Sequence, residues 1–237
     1  MLMLFGVAEL QAQTIWDQAK KKAAEAYNKK NPKGTGLTND DVIKGLKEAL
    51  NVGVNKSTSI ASKLNGYYKN PKIFIPWPAD AVKVEKKLRE LGFGKKVDEF
   101  TMTLNRAAEE AAKEAAPIFV SAIKGITIQD GMSILKGTET AATSYLKGKT
   151  ESQLQNSFSP IVQRALQKTN ATKYWSELVT IYNKLPTVQK INPNLNAYAT
   201  DKAIDGLFVL VGDEETKIRK DPAARVSDIL KKVFGAK

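Results

Sequence analysis

The sequence predicts an all-α fold in a single domain. Of its 237 residues, 42% are hydrophobic and 26% charged, as in a globular chain with a core and unlike a disordered chain or a multi-span membrane protein. Apolar residues recur at steps of three and four along most of the chain, as on the buried face of a helix. Because no long glycine- and serine-rich linker interrupts this pattern, we expect one domain of about eight to ten helices over residues 14–237.

The amino-terminal residues differ from the rest. Residues 1–8 are apolar, but they are too few to span a bilayer, which needs ~20 residues. They are typical of the apolar part of a secretory signal that ends near Ala12, although no basic residue precedes them. We therefore predict a truncated signal peptide over residues 1–13 and a periplasmic or otherwise exported protein. The alternative is that these residues form the first turn of a buried helix.

The first helical runs are marked by their ends. A run over 15–29 stops before Pro32, because proline cannot continue a helix. The next covers 38–59, with Thr38 or Asn39 as its predicted cap and two aspartates in its first turn. Another opens at Pro78.

The run over 95–123 is the best candidate for a central element. Its Pro117 predicts a kink or a junction between two helices. Thr127 with Asp130 predicts the cap of a short helix after it, and Thr150 with Gln153 predicts another capping box. The remaining runs are 138–146, 150–167, 172–184, 194–220 and 221–234.

Residues 67–78 break the helical pattern. Pro71, Pro76 and Pro78 exclude a helix interior, and the apolar residues between them favour extended backbone. We predict an extended arm here. Residues 186–193 form a similar proline-bounded run, so the two could pair as a minor two-stranded ribbon laid on the helices.

The arm is rich in aromatic residues, with Tyr67, Tyr68, Phe74 and Trp77 interleaved with lysines. Aromatic rings beside cations suit base stacking, insertion at a membrane interface or capture of an apolar ligand. These four residues are therefore the candidate ligand-binding residues. For Phe74 and Trp77, the favoured interpretation is instead that they plug the helical core.

The sequence contains no cysteine and no histidine, which excludes disulfides, Cys/His zinc sites and every catalytic arrangement built on a thiol or imidazole. We expect no metal site and no cofactor. Carboxylates are then the main acid-base groups. Their helical spacing beside arginines predicts a buried ion network, or alternatively an acid site. The residues concerned are Arg106, Glu109, Glu110, Glu214, Glu215 and Arg219.

The formal net charge is +12, from 37 basic and 25 acidic residues. The excess is spread along the chain, and its densest clusters read as solvated helix faces. Contact with an anionic membrane surface is compatible with this charge. Nucleic acid is the less favoured partner, because an exported protein does not meet it.

Seven segments stand in fixed order along the chain: KGLKEALNVGVN at 44–55, NPKIFIP at 70–76, NRAA at 105–108, APIF at 116–119, YN at 182–183, DGLF at 205–208 and KIRKDPAARVSDILKKVFG at 217–235. In these segments the chain resembles the bacterial domain-of-unknown-function family 4197, and the similarity covers nearly its whole length after Leu37. The resemblance implies an exported protein of Gram-negative bacteria and no assigned activity.

Two classes of function remain open. The first is a non-enzymatic module of the cell envelope that binds a protein partner or an apolar ligand at the arm. The second is a carboxylate-dependent hydrolase acting on cell-envelope material, in which a free carboxyl faces a cleft. Electrostatic binding to anionic surfaces is a further alternative.

Overall fold

The computed structural model describes residues 38–225, except for positions 91, 169–170, 185–189 and 193, and also describes residues 231 and 233. This part of the chain contains no strand and confirms the all-α fold. The predicted signal segment 1–13 and the predicted helix 15–29 lie outside the described residues. The α-helices are α1 (Asn39–Ala61), α2 (Val82–Glu90), α3 (Gly94–Ala111), α4 (Ala115–Lys124), α5 (Ile128–Lys136), α6 (Ala141–Lys168), α7 (Ala171–Asn183) and α8 (Leu195–Lys220).

The core is formed by α1, α6, α8 and the consecutive pair α3 and α4. Helix α8 packs on α1, α3 and α6, while α4 lies between α1 and α6. The shorter helices α2, α5 and α7 pack on this group from outside. Within this group, Phe119 of α4 and Phe208 of α8 meet edge to face, with ring centroids 5.5 Å apart.

The junction that Pro117 predicts is present. A single 3₁₀ turn, Ala112–Glu114, separates α3 from α4. Pro117 lies in the first turn of α4, where a backbone N–H would have no partner within the helix. The proline therefore marks the start of a new helix.

Helix α6 is continuous across two runs that the sequence predicts as separate helices, 138–146 and 150–167. Its buried residues recur every four positions, at Leu146, Thr150, Leu154, Phe158, Val162 and Leu166. The predicted capping box at Thr150 is wrong, because this residue lies in that row and its hydroxyl donates to the carbonyl oxygen of Leu146 at 2.7 Å. Gly148 costs the helix roughly 1 kcal/mol relative to alanine, which the buried row outweighs. Among the described residues, the two predicted runs 138–146 and 150–167 therefore form one helix.

Two other predicted caps are confirmed. Thr38 and Asp41 form a reciprocal capping box at the start of α1, and Thr127 and Asp130 form the same arrangement at the start of α5. The predicted helix from Asp221 begins as a 3₁₀ turn, Pro222–Ala224, and most of it lies outside the described residues.

The predicted ribbon is not seen. Residues 70–76 form turns and extended backbone without a paired strand, and most of the second half, at 185–189 and 193, lies outside the described residues. The arm finds its hydrogen-bond partners in helix side chains instead, as set out below.

Within the described ranges, no single helix combines the length and apolar character needed to cross a bilayer. Residues 94–124 and 128–136 meet that criterion only when taken together, and they are bent by 107°.

Candidate functional site

Residues 67–77, here called the arm, cross α3 and α8 in irregular backbone. The side chain of Asn105 in α3 holds the middle of the arm, since its Oδ1 accepts from the N–H of Ile75 at 2.8 Å and its Nδ2 donates to the Ile75 carbonyl at 2.9 Å. Asn105 is fully buried. The Asn105 side chain thus satisfies the backbone N–H and carbonyl of Ile75, which a neighbouring strand would bond in a sheet.

Glu109 holds the start of the arm. Its Oε1 accepts from the backbone N–H groups of Tyr67 and Tyr68, each at 3.1 Å. Its Oε2 accepts from Arg106, whose guanidinium also donates to the side chain of Asn65 at 2.9 Å. The carboxylate is buried, and its two oxygens fix both the arm and the turn before it.

Tyr67 lies in the core, away from solvent. It is fully buried, and its hydroxyl donates to the Ala203 carbonyl of α8 at 2.5 Å. Burial, reinforced by the negative charge of Glu109, raises the pKa of this phenol above its ordinary value. Gly206 permits this packing, because a Cβ there would lie 2.8 Å from the Tyr67 ring and 3.0 Å from the Cβ of Ile73.

Trp77 closes the other end of the arm. It is 5% exposed, and its indole N–H donates to the hydroxyl of Thr101 at 2.9 Å. Its ring lies 4.7 Å from the ring of Phe100 and 5.9 Å from that of Trp175, measured between centroids. Trp77 therefore plugs the core, while one edge of it contributes to a cleft.

The cleft lies between the arm, α2 and the start of α3, and has a volume of about 440 Å³. Its aromatic wall comes from Tyr68 and Phe74, whose ring centroids are 6.3 Å apart, together with Pro76. Phe74 is 37% exposed, so it does not plug the core. On the far side of Tyr68, the Arg106 guanidinium lies 5.6 Å from the ring centroid.

The opposite wall of the cleft is charged. Arg89 of α2 donates to Glu85 at 2.9 Å and to Asp98 of α3 at 2.8 Å. These hydrogen bonds, that of Asp98 foremost, raise the pKa of the guanidinium. The triad joins α2 to α3 and leaves the cleft with one aromatic and one ionic wall.

Glu215 and Arg219 form a second network, on α8. The Glu215 carboxylate accepts from the backbone N–H groups of Ala142 and Thr143 at 3.0 and 2.8 Å, and so caps the start of α6. Arg219 donates to Glu215 and to the Ile134 carbonyl, both at 2.8 Å, at the end of α5. Each charge meets the helix end whose dipole favours it, so the pair joins α5 and α6 to α8.

The two other candidate carboxylates lie apart from these networks. Glu214 is buried and forms ion pairs with Lys56 of α1 at 2.9 Å and with Lys217 at 2.8 Å. Burial raises its pKa, but the hydrogen bonds from both lysines outweigh this and leave the pKa below its ordinary value. Glu110 is exposed and pairs with Lys113.

These four carboxylates form hydrogen bonds or ion pairs within the fold. A catalytic carboxyl must reach a substrate in a cleft, yet Glu109, Glu110, Glu214 and Glu215 are absent from the walls of the arm cleft and of a groove of about 480 Å³ between α6 and α8. Glu215 borders a small cavity of about 20 Å³. Among the described residues, no group of three or more metal-ligating side chains occurs.

Sequence reasoning missed several residues of this site. Asn105 had a readable signal, since it is a polar residue on the apolar face of its helix. The spacing of Glu85 and Arg89 indicated an ion pair on one helix. Asp98 and Thr101 gave no signal, because they reach the cleft only through the turn between α2 and α3.

Three of the segments that resemble family 4197 meet at the arm. The arm includes NPKIFIP at 70–76, NRAA at 105–108 supplies Asn105 and Arg106, and DGLF at 205–208 supplies Gly206. The model of the family described as protein of unknown function (DUF4197) matches residues 36–235. No curated protein and no solved structure matches the chain. With most of its length covered by that one model, the chain belongs to the DUF4197 family.

Proposed function

We propose that this chain is a non-enzymatic binding module of the cell envelope and that its ligand face is the arm cleft. The observation that carries the proposal is Phe74, a large aromatic residue that is 37% exposed on a segment held by buried hydrogen bonds. Such a residue contributes contact area without the cost of ordering the backbone when a ligand binds. Aromatic residues of this kind often dominate binding energy at interfaces.

The form of the cleft favours an extended segment of a partner protein. It is open to solvent, with Tyr68, Phe74 and Pro76 on one side and the Arg89 triad on the other. Aromatic and proline walls are typical of grooves that bind extended peptides. Fixed charges at the rim of such a groove determine the position of the peptide along it more than they increase the binding affinity. An apolar small molecule is the other ligand that such a cleft could take.

The location in the cell envelope is supported by two features of the sequence. Residues 1–8 have the apolar character of a secretory signal, and the resemblance to family 4197 implies export. A partner would then be another protein of the envelope.

Photo-cross-linking tests this function. Benzoylphenylalanine in place of Phe74 should yield a protein adduct in intact bacterial cells. Met102 of α3 is the matched control position, because it is also 37% exposed but is absent from the cleft wall. The adduct at position 74 should decrease when Tyr68→Ala removes the neighbouring ring.

Two outcomes would contradict the proposal, and a third would change the class of ligand. Identical adducts from positions 74 and 102 would indicate non-specific contact, and no adduct from position 74 would exclude an occupied cleft. An adduct with the mass of a small molecule would replace the protein partner by an apolar ligand.

A further inference from the structure

We propose that residues 82–90 and 92–96, here called the basic hairpin, form a docking surface for an anionic lipid bilayer. The basic hairpin comprises α2, the turn after it and the first turn of α3. This surface is separate from the aromatic wall of the arm cleft, and the proposal does not depend on the cleft being occupied.

The first observation is the charge of the basic hairpin. It contains six basic residues, which are Lys83, Lys86, Lys87, Arg89, Lys95 and Lys96, and two acidic ones, Glu85 and Glu90, for a net charge of +4. Arg89 and Lys87 are used in ion pairs. The four other lysines are exposed, and within the described part of the chain they have no carboxylate at ion-pair distance.

The second observation is how little the basic hairpin contributes to the core. None of the nine residues of α2 is buried, and the helix packs mainly on α3. Only Val84 and Leu88 touch the main core, as partly buried side chains. A helix with so little buried surface leaves most of its area for another contact.

The third observation is the tip, where Phe93 is 45% exposed. A Cβ built at Gly92 or at Gly94 would meet no atom within 4 Å, so the turn projects from the surface. Val82, at the other end of α2, is 50% exposed. Apolar side chains beside exposed lysines are the pattern of segments that insert at the boundary between lipid headgroups and acyl chains.

The start of α3 adds to this. Lys95 and Lys96 lie in its first turn, which holds no acidic residue, although the positive end of a helix dipole disfavours cations there. Two lysines at this end weaken the helix and strengthen the field that attracts an anion. The two lysines repel each other and the positive end of the helix dipole. An anionic partner bound at this end would be attracted by both lysines and by the dipole.

Charge and side-chain type together favour a bilayer. Lysine is a mobile point charge on a long apolar stem, which suits the loosely ordered phosphates of a headgroup layer, whereas arginine suits paired contacts to one fixed phosphate. All four available cations of the basic hairpin are lysines. Phe93 would then enter the acyl region while the lysines contact headgroups.

Vesicle sedimentation of the full chain tests the proposal. The protein should bind vesicles containing phosphatidylglycerol far more tightly than vesicles of phosphatidylcholine alone, and binding should weaken with salt. Replacing Lys83, Lys86, Lys95 and Lys96 by glutamine should reduce the affinity at least about ten-fold. Phe93→Ala should reduce it by about ten-fold.

A matched variant controls for total charge. Lys44, Lys136, Lys168 and Lys202 are exposed, lie on α1, α5, α6 and α8, and have no ion-pair partner among the described residues. Their replacement by glutamine removes the same charge but should change the affinity less than about three-fold, since only headgroup contacts within a Debye length contribute strongly.

A fluorescent reporter gives an independent measurement. The chain has three native tryptophans, so the signal of Phe93→Trp is its emission in excess of the wild-type emission. This excess emission should shift to the blue and be quenched by brominated acyl chains on phosphatidylglycerol vesicles. The proposal is overturned by equal losses in both four-lysine variants, by no binding to these vesicles, or by an unshifted emission. Hairpin-dependent binding to a DNA duplex without vesicle binding would assign the surface to nucleic acid and overturn it as well.

Discussion

The arm and α2 are neighbours in the chain, but different interactions keep each of them in a defined conformation. The arm has irregular backbone, but buried side chains of α3 bond to it at Tyr67, Tyr68 and Ile75. Helix α2 has regular backbone, but none of its residues is buried. The comparison indicates that a segment of this protein is rigid when its hydrogen-bond partners are buried, and that its secondary structure matters less.

The same contrast separates the two surfaces proposed to bind. The arm presents Phe74 from a fixed backbone, which suits a defined partner. The basic hairpin presents Phe93 and four lysines from a backbone that packs weakly on the core, which suits the deformable surface of a lipid bilayer. The predictions below test this contrast, beginning with the largest expected effect.

Glu109→Ala should have the largest effect on the free energy of unfolding. It leaves two buried backbone N–H groups of the arm and the Arg106 guanidinium without their acceptor. The expected loss is about 3–5 kcal/mol, measured by urea denaturation. Glu109→Gln is the control, because it keeps an oxygen for the two amides and should lose only about 1–2 kcal/mol. Equal losses in the two variants would show that the bonds to the arm contribute little.

Gly206→Ala tests how closely the arm packs on α8. The new Cβ would lie 2.8 Å from the ring of Tyr67, and overpacking of this kind costs about 1–3 kcal/mol. Gly212→Ala is the matched control on the same helix, where the nearest atom would be 3.7 Å away, so it should stabilise the protein by up to about 1 kcal/mol. Thermal denaturation of both variants measures the difference, and a shared sign would contradict close packing of the arm.

Glu214 provides the smallest effect and a dependence on pH. Its pKa in the folded protein lies below the ordinary value because Lys217 and Lys56 donate to it, against the opposing effect of burial. It therefore stabilises the fold above the pKa of an unfolded glutamate, about 4.3, and this contribution is lost as the pH falls through the lower folded value. Both lysines are half-exposed, so we expect less than about 1 kcal/mol.

Urea titrations at pH 7 and at pH 3 check this last prediction. The wild-type protein should lose more stability between the two values than Glu214→Gln does. A larger loss in the variant would mean that the ion pairs with Lys56 and Lys217 do not stabilise the fold.

Much of the fold was accessible from local signals in the sequence. The helix starts near Thr38 and at Thr127 were predicted from residues within one helical turn. The junction at Pro117 was one of the two structures that its position predicted. The arm was also expected, because its prolines exclude a helix locally. Thr150 misled because the same threonine-x-x-glutamine spacing occurs inside a helix when the threonine bonds back to the preceding turn.

The candidate site was less accessible, since its contacts join residues distant in the chain. Tyr67, Tyr68, Phe74 and Trp77 are equivalent in the sequence, but folding buries Tyr67 and Trp77 and leaves Phe74 exposed. That division depends on Asn105 and Gly206, which lie on two other elements. Asp98 lines the cleft only because α3 packs back against α2 after Gly92 and Phe93. No local pattern encodes these approaches.

Native-state hydrogen exchange tests the central claim most directly. Peptides covering residues 65–77 and 82–90 would be compared by mass spectrometry in the full chain. We predict that the amides of Tyr67, Tyr68 and Ile75 in the irregular arm exchange more slowly than the helical amides of α2. Exchange in α2 that is as slow as in the arm, or slower, would contradict the claim that buried side-chain partners determine rigidity in this protein.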